Sequence, residues 1–274
     1  MKYLSIVALF LFSFGFATKG FAEENGTNVS EERLTHTELD YLVNEVGNTE
    51  EEAEDLPVAI AKQLIEEEAQ VIDSGSEIMD IYLPEFNKPG QVQIRTFANI
   101  AASTLKLGGT VYKVTSDRKK EDKFYIYGNF QWLKTPSNNL VDKMTIGFPS
   151  SSGLYLPTSG GKVKQHQHRY SQDQQGNGRW IDYAIKYSPS NWEPSAGVAG
   201  SYDLKASTSK TKHKGYIGQY VYVPTSKNGK INIKIEYGHK RISGSPSVSV
   251  FPAGLSITPT NTTDTRPYGL TLSY

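Results

Sequence analysis

Tyr216-Ile217-Gly218-Gln219-Tyr220-Val221-Tyr222-Val223 and Lys230-Ile231-Asn232-Ile233-Lys234-Ile235-Glu236-Tyr237 are the stretches that decide the fold. In the second, Ile231, Ile233, Ile235 and Tyr237 fall on one side of an extended chain. Lys230, Asn232, Lys234 and Glu236 fall on the other, because side chains of a strand alternate with a period of two. Ser226-Lys227-Asn228-Gly229 joins the two runs. Asn-Gly accepts the positive φ of a tight turn, so the pattern predicts a hairpin with one apolar and one solvated face.

The same texture extends outward from this pair. Lys123 to Trp132 is aromatic and β-prone, and Ser247-Val248-Ser249-Val250-Phe251 and Leu270-Thr271-Leu272-Ser273-Tyr274 alternate. Short strands with Gly, Pro and Ser turns and no intervening helical period predict an antiparallel β-sandwich (or barrel) over residues 81–274.

Residues 23–80 read differently. Thr35-His36-Thr37-Glu38 and Thr49-Glu50-Glu51-Glu52 have the spacing of capping boxes, in which hydroxyl and carboxylate each satisfy a free backbone amide. Leu39, Leu42, Val43 and Val46 share a helical face before Gly47. Pro57 opens a further helix expected to run through Ile60, Leu64 and Val71 to Ser74-Gly75. This acidic leader or pro-segment carries eighteen acids against Arg33 and Lys62, a balance of −16, whereas residues 81–274 carry +14. Opposite charge on one short tether predicts docking of the leader on the β domain.

Met1-Lys2, the apolar run from Tyr3 to Phe16 and the small residues Gly20 and Ala22 match a signal peptide over residues 1–22, with the mature chain starting at Glu23. Such a chain is secreted, extracellular or held at the cell envelope. The absence of cysteine excludes disulfides and thiolate metal sites, so a packed core must supply the stability.

Glu54-Asp55-Leu56-Pro57, Gly128-Asn129-Phe130-Gln131-Trp132-Leu133-Lys134-Thr135-Pro136 and Asp142-Lys143-Met144-Thr145-Ile146-Gly147 resemble secreted Gram-positive proteins of unassigned function. The resemblance implies export in a Gram-positive setting and carries over no activity and no site.

Three constellations offer chemistry. Trp192 lies in the turn-rich Ser188–Ser195 stretch and Trp180 opens the same aromatic region; exposed rings of this kind stack on sugar faces. Arg118-Lys119-Lys120 and Lys210, Lys212 and Lys214 are basic runs suited to an anionic polymer. His166 and His168 stand at i, i+2, on one face of a strand, where both could reach a metal; two exposed histidines in a polar loop is the stronger reading. Asp182 and Glu193 are the carboxylates that flank the Trp180–Trp192 stretch. No nucleophile-elbow, zinc-protease or phosphate-loop motif is present, so the sequence leans away from catalysis and implies no cofactor.

The reading that follows is a secreted, non-enzymatic binding protein whose basic β domain engages an anionic cell-wall polymer or a glycan. Nucleic acid is a weaker partner for an exported chain, and a membrane is the alternative, through a toxin or bacteriocin-like effector kept quiet by its acidic leader. A further alternative is an outer-membrane β-barrel, suggested by the terminal alternation of Tyr268, Leu270, Leu272 and Tyr274.

Overall fold

A computed structural model describes residues 33–74 and 100–274. The expected signal peptide, the first residues of the leader and residues 75–99 lie outside them. The described residues open with α1 (His36–Tyr41), a π-helical turn (Leu42–Val46), α2 (Glu50–Asp55) and α3 (Val58–Glu66). Strands β1 (Gln70–Asp73), β2 (Leu105–Val114), β3 (Glu121–Trp132) and β4 (Val141–Gly147) follow. Two short strands, β5 (Thr158–Ser159) and β6 (Lys162–Val163), precede β7 (His166–Asp173), β8 (Ile181–Asp182), β9 (Asn191–Glu193) and β10 (Gly197–Asp203). The last are β11 (Lys212–Pro224), β12 (Lys230–Lys240), β13 (Val248–Phe251), β14 (Gly254–Ile257) and β15 (Thr263–Ser273).

These strands make an antiparallel β-sandwich. One sheet has the order β1-β2-β3-β11-β7-β8 and the other β15-β12-β4-β10-β9. Between them Val111, Phe124, Ile126, Ile217 and Val221 of the first sheet meet Met144, Ile146, Ile233, Ile235 and Leu270 of the second, all buried. The outer-membrane barrel is thereby corrected: the described strands form two large sheets and two two-stranded ones, and no closed barrel. Their apolar faces also turn inward, whereas a membrane barrel turns them toward lipid.

The expected hairpin is also corrected. β11 pairs with β3 and β7, while β12 pairs with β15 and β4, so the two strands lie in opposite sheets. Neither Asn228 nor Gly229 has the positive φ that a type I′ turn requires. Instead the Gly229 N–H donates to the Tyr274 carbonyl at 2.8 Å and the Gly229 carbonyl accepts from the Tyr274 N–H at 3.0 Å, anchoring the crossover to the end of β15. Apolar alternation buries a strand equally well from either side of a sandwich. The polar side of β12 departs from expectation as well, since the β13–β14 hairpin covers it. Lys234 and Glu236 are buried there as an ion pair 3.0 Å apart, and the Ile257 N–H donates to Glu236 at 3.0 Å.

Both capping boxes form. The Thr35 N–H donates to Glu38 Oε2 at 2.7 Å and the Thr49 N–H to Glu52 Oε2 at 2.9 Å. Gly47, at φ +93°, ends the first helical segment in a left-handed conformation. The last helix stops earlier than its pattern suggests. Glu68 takes φ +48°, the Ala69 N–H caps back on the Leu64 carbonyl, and Val71 becomes part of β1, an edge strand paired with β2.

This helical layer packs on the outer face of the first sheet. Leu42, Val46, Leu56, Ile60 and Leu64 meet six tyrosines, Tyr112, Tyr125, Tyr127, Tyr216, Tyr220 and Tyr222. Their rings supply apolar area while most hydroxyls find local partners. Tyr112 accepts from Asn48 Nδ2 at 2.9 Å, and Tyr222 donates to Asp117 at 2.7 Å. Tyr220 accepts from Gln63 at 2.5 Å and donates to Glu67. Full burial of Leu42, Ile60 and Leu64 contributes roughly 2 kcal/mol each. The ion pairs of Lys106 with the exposed Glu51 and the half-exposed Asp55 are screened by solvent and contribute little by comparison. Apolar burial therefore dominates the attachment.

Candidate functional site

The helices cover only the upper part of the tyrosine face. Where the α2–α3 junction turns away, a cleft of about 230 Å³ remains between Glu54–Val58 and the outward side chains of β2, β3, β7 and β11. Such a volume is small beside the roughly 300–1,000 Å³ that encloses a drug-sized ligand, so it suits about one ring. Alternation on β11 sends Lys214 and Tyr216 to this side while His213 and Ile217 point inward. On β7, paired with β11, Arg169 stands directly opposite Tyr216.

Trp180 forms one wall, with the Lys214 ammonium 4.3 Å above its ring. Burial lowers the Lys214 pKa, although Asp182 and Asp55 pull the other way. Arg169 Nη2 pairs with Asp182 at 2.9 Å, and the Ser171 hydroxyl donates to the same carboxylate at 2.6 Å. Across the cleft Lys106 is held by Glu51 and Asp55, each at 2.7 Å. Burial pulls the Lys106 pKa down, and hydrogen bonds to the two carboxylates more than reverse it. Two buried polar atoms here have no hydrogen-bond partner, Tyr216 Oη and Arg169 Nε. Buried polar groups are nearly always satisfied, and neither orphan is open to solvent in this conformation, so a bound acceptor reaches them only as the cleft walls part. Burial pushes the Tyr216 hydroxyl up to about 12, which keeps it neutral and able to donate.

The structure brings Trp180 and Lys214 together but separates the other expected residues. Trp192 lies on β9, the edge of the second sheet, 36% exposed, and so shares no platform with Trp180. Asp182 and Glu193 likewise belong to different sheets. The basic runs sit at opposite ends of the first sheet. Lys120 lies beside Thr225, beyond one end of β11, while Lys212 at the other end donates to the Leu133 carbonyl at 2.8 Å. Thirteen residues of strand separate the two ends, roughly 40 Å. Arg118 is engaged locally, 3.9 Å from the Tyr222 ring centroid and donating to Tyr155 Oη at 2.9 Å. Lys119, Lys120 and Lys210 are exposed.

His166 and His168 do share a strand face, and that face is the inner one, so the exposed-loop expectation is corrected. Both are buried on β7, with His166 Nε2 and His168 Nδ1 2.9 Å apart and His166 Nδ1 3.1 Å from Gln219 Oε1. Burial lowers His166 to about 4 and His168 to about 3, the latter helped down by His166. Among the described residues no group of three or more His, Cys, Asp or Glu is arranged to hold a metal.

Sequence reasoning missed Arg169, Tyr216, Ser171 and Lys106. Only the alternation along β2, β7 and β11 pointed outward for them, and without the pairing it could not bring them together.

Neither protein-family models nor curated proteins match the chain. Among solved structures, the membrane-inserted form of the Clostridium perfringens NetB toxin aligns at 6% identity and TM-score 0.30, over 61% of this chain and 91% of that one. A pore-forming protein aligns at 6% identity and TM-score 0.32, over 62% and 90%. A structure from work on pH-induced modulation of Streptococcus parasanguinis adhesion by Fap1 fimbriae aligns at 13% identity and TM-score 0.24, over 60% and 79%. Likenesses at these scores carry no argument.

Proposed function

We propose that the protein is a secreted, non-enzymatic binding module that engages an anionic or carbohydrate polymer at the cell envelope, and that the Trp180 cleft is its binding site. One observation carries this reading: an indole face and an ammonium converge beside two unpartnered buried donors. Sugar recognition needs an aromatic surface for the apolar face of the ring and fixed polar groups for its hydroxyls. The β domain's +14 attracts anionic polymers at short range only, because the acidic segment at −16 cancels its field farther out.

Native gels cast with lipoteichoic acid, polygalacturonate, dextran or soluble chitosan test the reading, with wild type and Trp180→Ala run together. Retardation by at least one polymer, weakened in the variant, is expected. Equal mobility in all gels, or binding to anionic lipid vesicles that ignores Trp180, would count against it.

A further inference from the structure

We infer that the cleft selects a sugar residue bearing a single carboxylate, a uronic or similar acidic sugar, over neutral sugars and over phosphate; this rests on the binding function proposed above. The charges around the cleft lead to this choice. Lys106 is neutralised by Glu51 and Asp55, and Arg169 by Asp182. Lys214 has no carboxylate at ion-pair distance among the described residues, and its ammonium lies over the Trp180 ring. Among the described residues Lys214 is thus the one cation of the cleft lining outside an ion pair, set beside the aromatic wall, with Asp182 and Asp55 acting on it only from farther away. A cation–π contact compensates a half-buried ammonium less fully than an anion does.

The orphan atoms sharpen the choice. Arg169 Nε can only donate, and Tyr216 Oη, 4% exposed as a residue, carries a hydroxyl proton with no acceptor. Both call for acceptor oxygens, which carboxylates and sugar ring or hydroxyl oxygens supply. The start of α3, where no side chain caps the helix, also lines the cleft and favours negative charge. Against a phosphate polymer stand the carboxylates of Glu54, Asp55 and Asp182 on the same walls. They accept hydrogen bonds from sugar hydroxyls, donors that a phosphodiester lacks. A phosphate also has no apolar face to lay against Trp180. One negative charge on an otherwise hydroxylated ring satisfies all of these groups together.

The test titrates the full mature protein with trimers of galacturonate, glucuronate and mannuronate, with sialyllactose, with matched neutral trimers and with inorganic phosphate, following tryptophan fluorescence and calorimetry. The expected result is saturable binding of at least one acidic sugar, at least about tenfold tighter than its neutral counterpart. Lys214→Met should abolish that preference by weakening the acidic sugar alone, and Tyr216→Phe should weaken it several-fold. Circular dichroism confirms that each variant folds. Equal binding of acidic and neutral trimers, with Trp180→Phe weakening both, would overturn the selectivity and leave the binding function standing. No response to any sugar, or phosphate binding as tightly as the acidic trimers, would overturn the inference; a silent sugar panel joined to unretarded gels would remove the function too.

Discussion

Replacing Leu64 by alanine tests whether the acidic helices are a structural layer or a charged cover. Leu64 lies on α3, is fully buried, and belongs to the cluster joining Ile60 and Leu42 to the tyrosine face of the first sheet. Truncation removes roughly 2 kcal/mol of transfer free energy, and the cavity left between rigid rings adds more, so a loss of about 3 kcal/mol is expected. Urea unfolding at pH 7.5, followed by circular dichroism and tryptophan fluorescence, should show one transition moved to lower urea with an unchanged slope. Repeating it in 1 M salt should leave the loss intact, because screening reaches ion pairs such as Lys106 with Glu51 and not apolar burial. A loss below 1 kcal/mol, or two separated transitions in wild type, would refute the argument. The helices would then be peripheral to the sandwich.

Three further outcomes follow from the structure. His166, His168 and His213 are buried and held at about 4, about 3 and about 4, below the ordinary 6.5. The unfolded chain therefore binds more protons as pH falls below 6.5. Stability should drop by about 2 kcal/mol per histidine at pH 5, to an upper bound of about 6 kcal/mol. The buried Asp142 carboxyl, raised chiefly by burial, works in the opposite sense. Urea midpoints that stay flat between pH 7 and 5 would contradict this, and the paired variant His166→Gln/His168→Gln should flatten the slope. Gly218→Ala places a methyl carbon 1.9 Å from the Tyr125 hydroxyl, so thermal unfolding should show a loss of about 1–3 kcal/mol; an unchanged Tm would mean that the ring moves freely. Trp192→Ala, at the exposed edge β9, should leave both stability and polymer retardation as in wild type. Lost retardation would place binding on that edge.

Fold class, capping boxes and the Gly47 stop were legible because each depends on local chemistry within a few residues. The partner of a strand does not. Asn228-Gly229 between two alternating runs describes a hairpin and a sheet crossover equally, and the choice rested on Tyr274 at the far end of the chain. Val71 fits a helical period, yet the left-handed turn at Glu68 and the free edge of β2 made it a strand residue. His166 and His168 lie among Gln165, Gln167 and Arg169 and read as a polar loop. Alternation on β7 sends only the odd-numbered residues outward and buries the histidines. The cleft was half legible. Trp180 and Lys214 stood out by residue type, whereas Arg169 and Tyr216 gain meaning only from a register that sets them opposite each other. Lys214 had read as one of a basic run, and the sheet separates it from Arg118, Lys119 and Lys120.

The most direct measurement uses the indole N–H signals of ¹⁵N-tryptophan-labelled protein, one each from Trp132, Trp180 and Trp192, assigned by phenylalanine variants. Trp132 is buried and donates to Tyr237 Oη at 3.0 Å, Trp192 is at the edge of the second sheet, and Trp180 alone lines the cleft. Titrated in turn with each polymer and sugar, the account predicts that the Trp180 signal moves to saturation while the other two stay fixed. Movement of Trp192 with Trp180 unchanged, or a bound polymer that shifts none of the three, would contradict it.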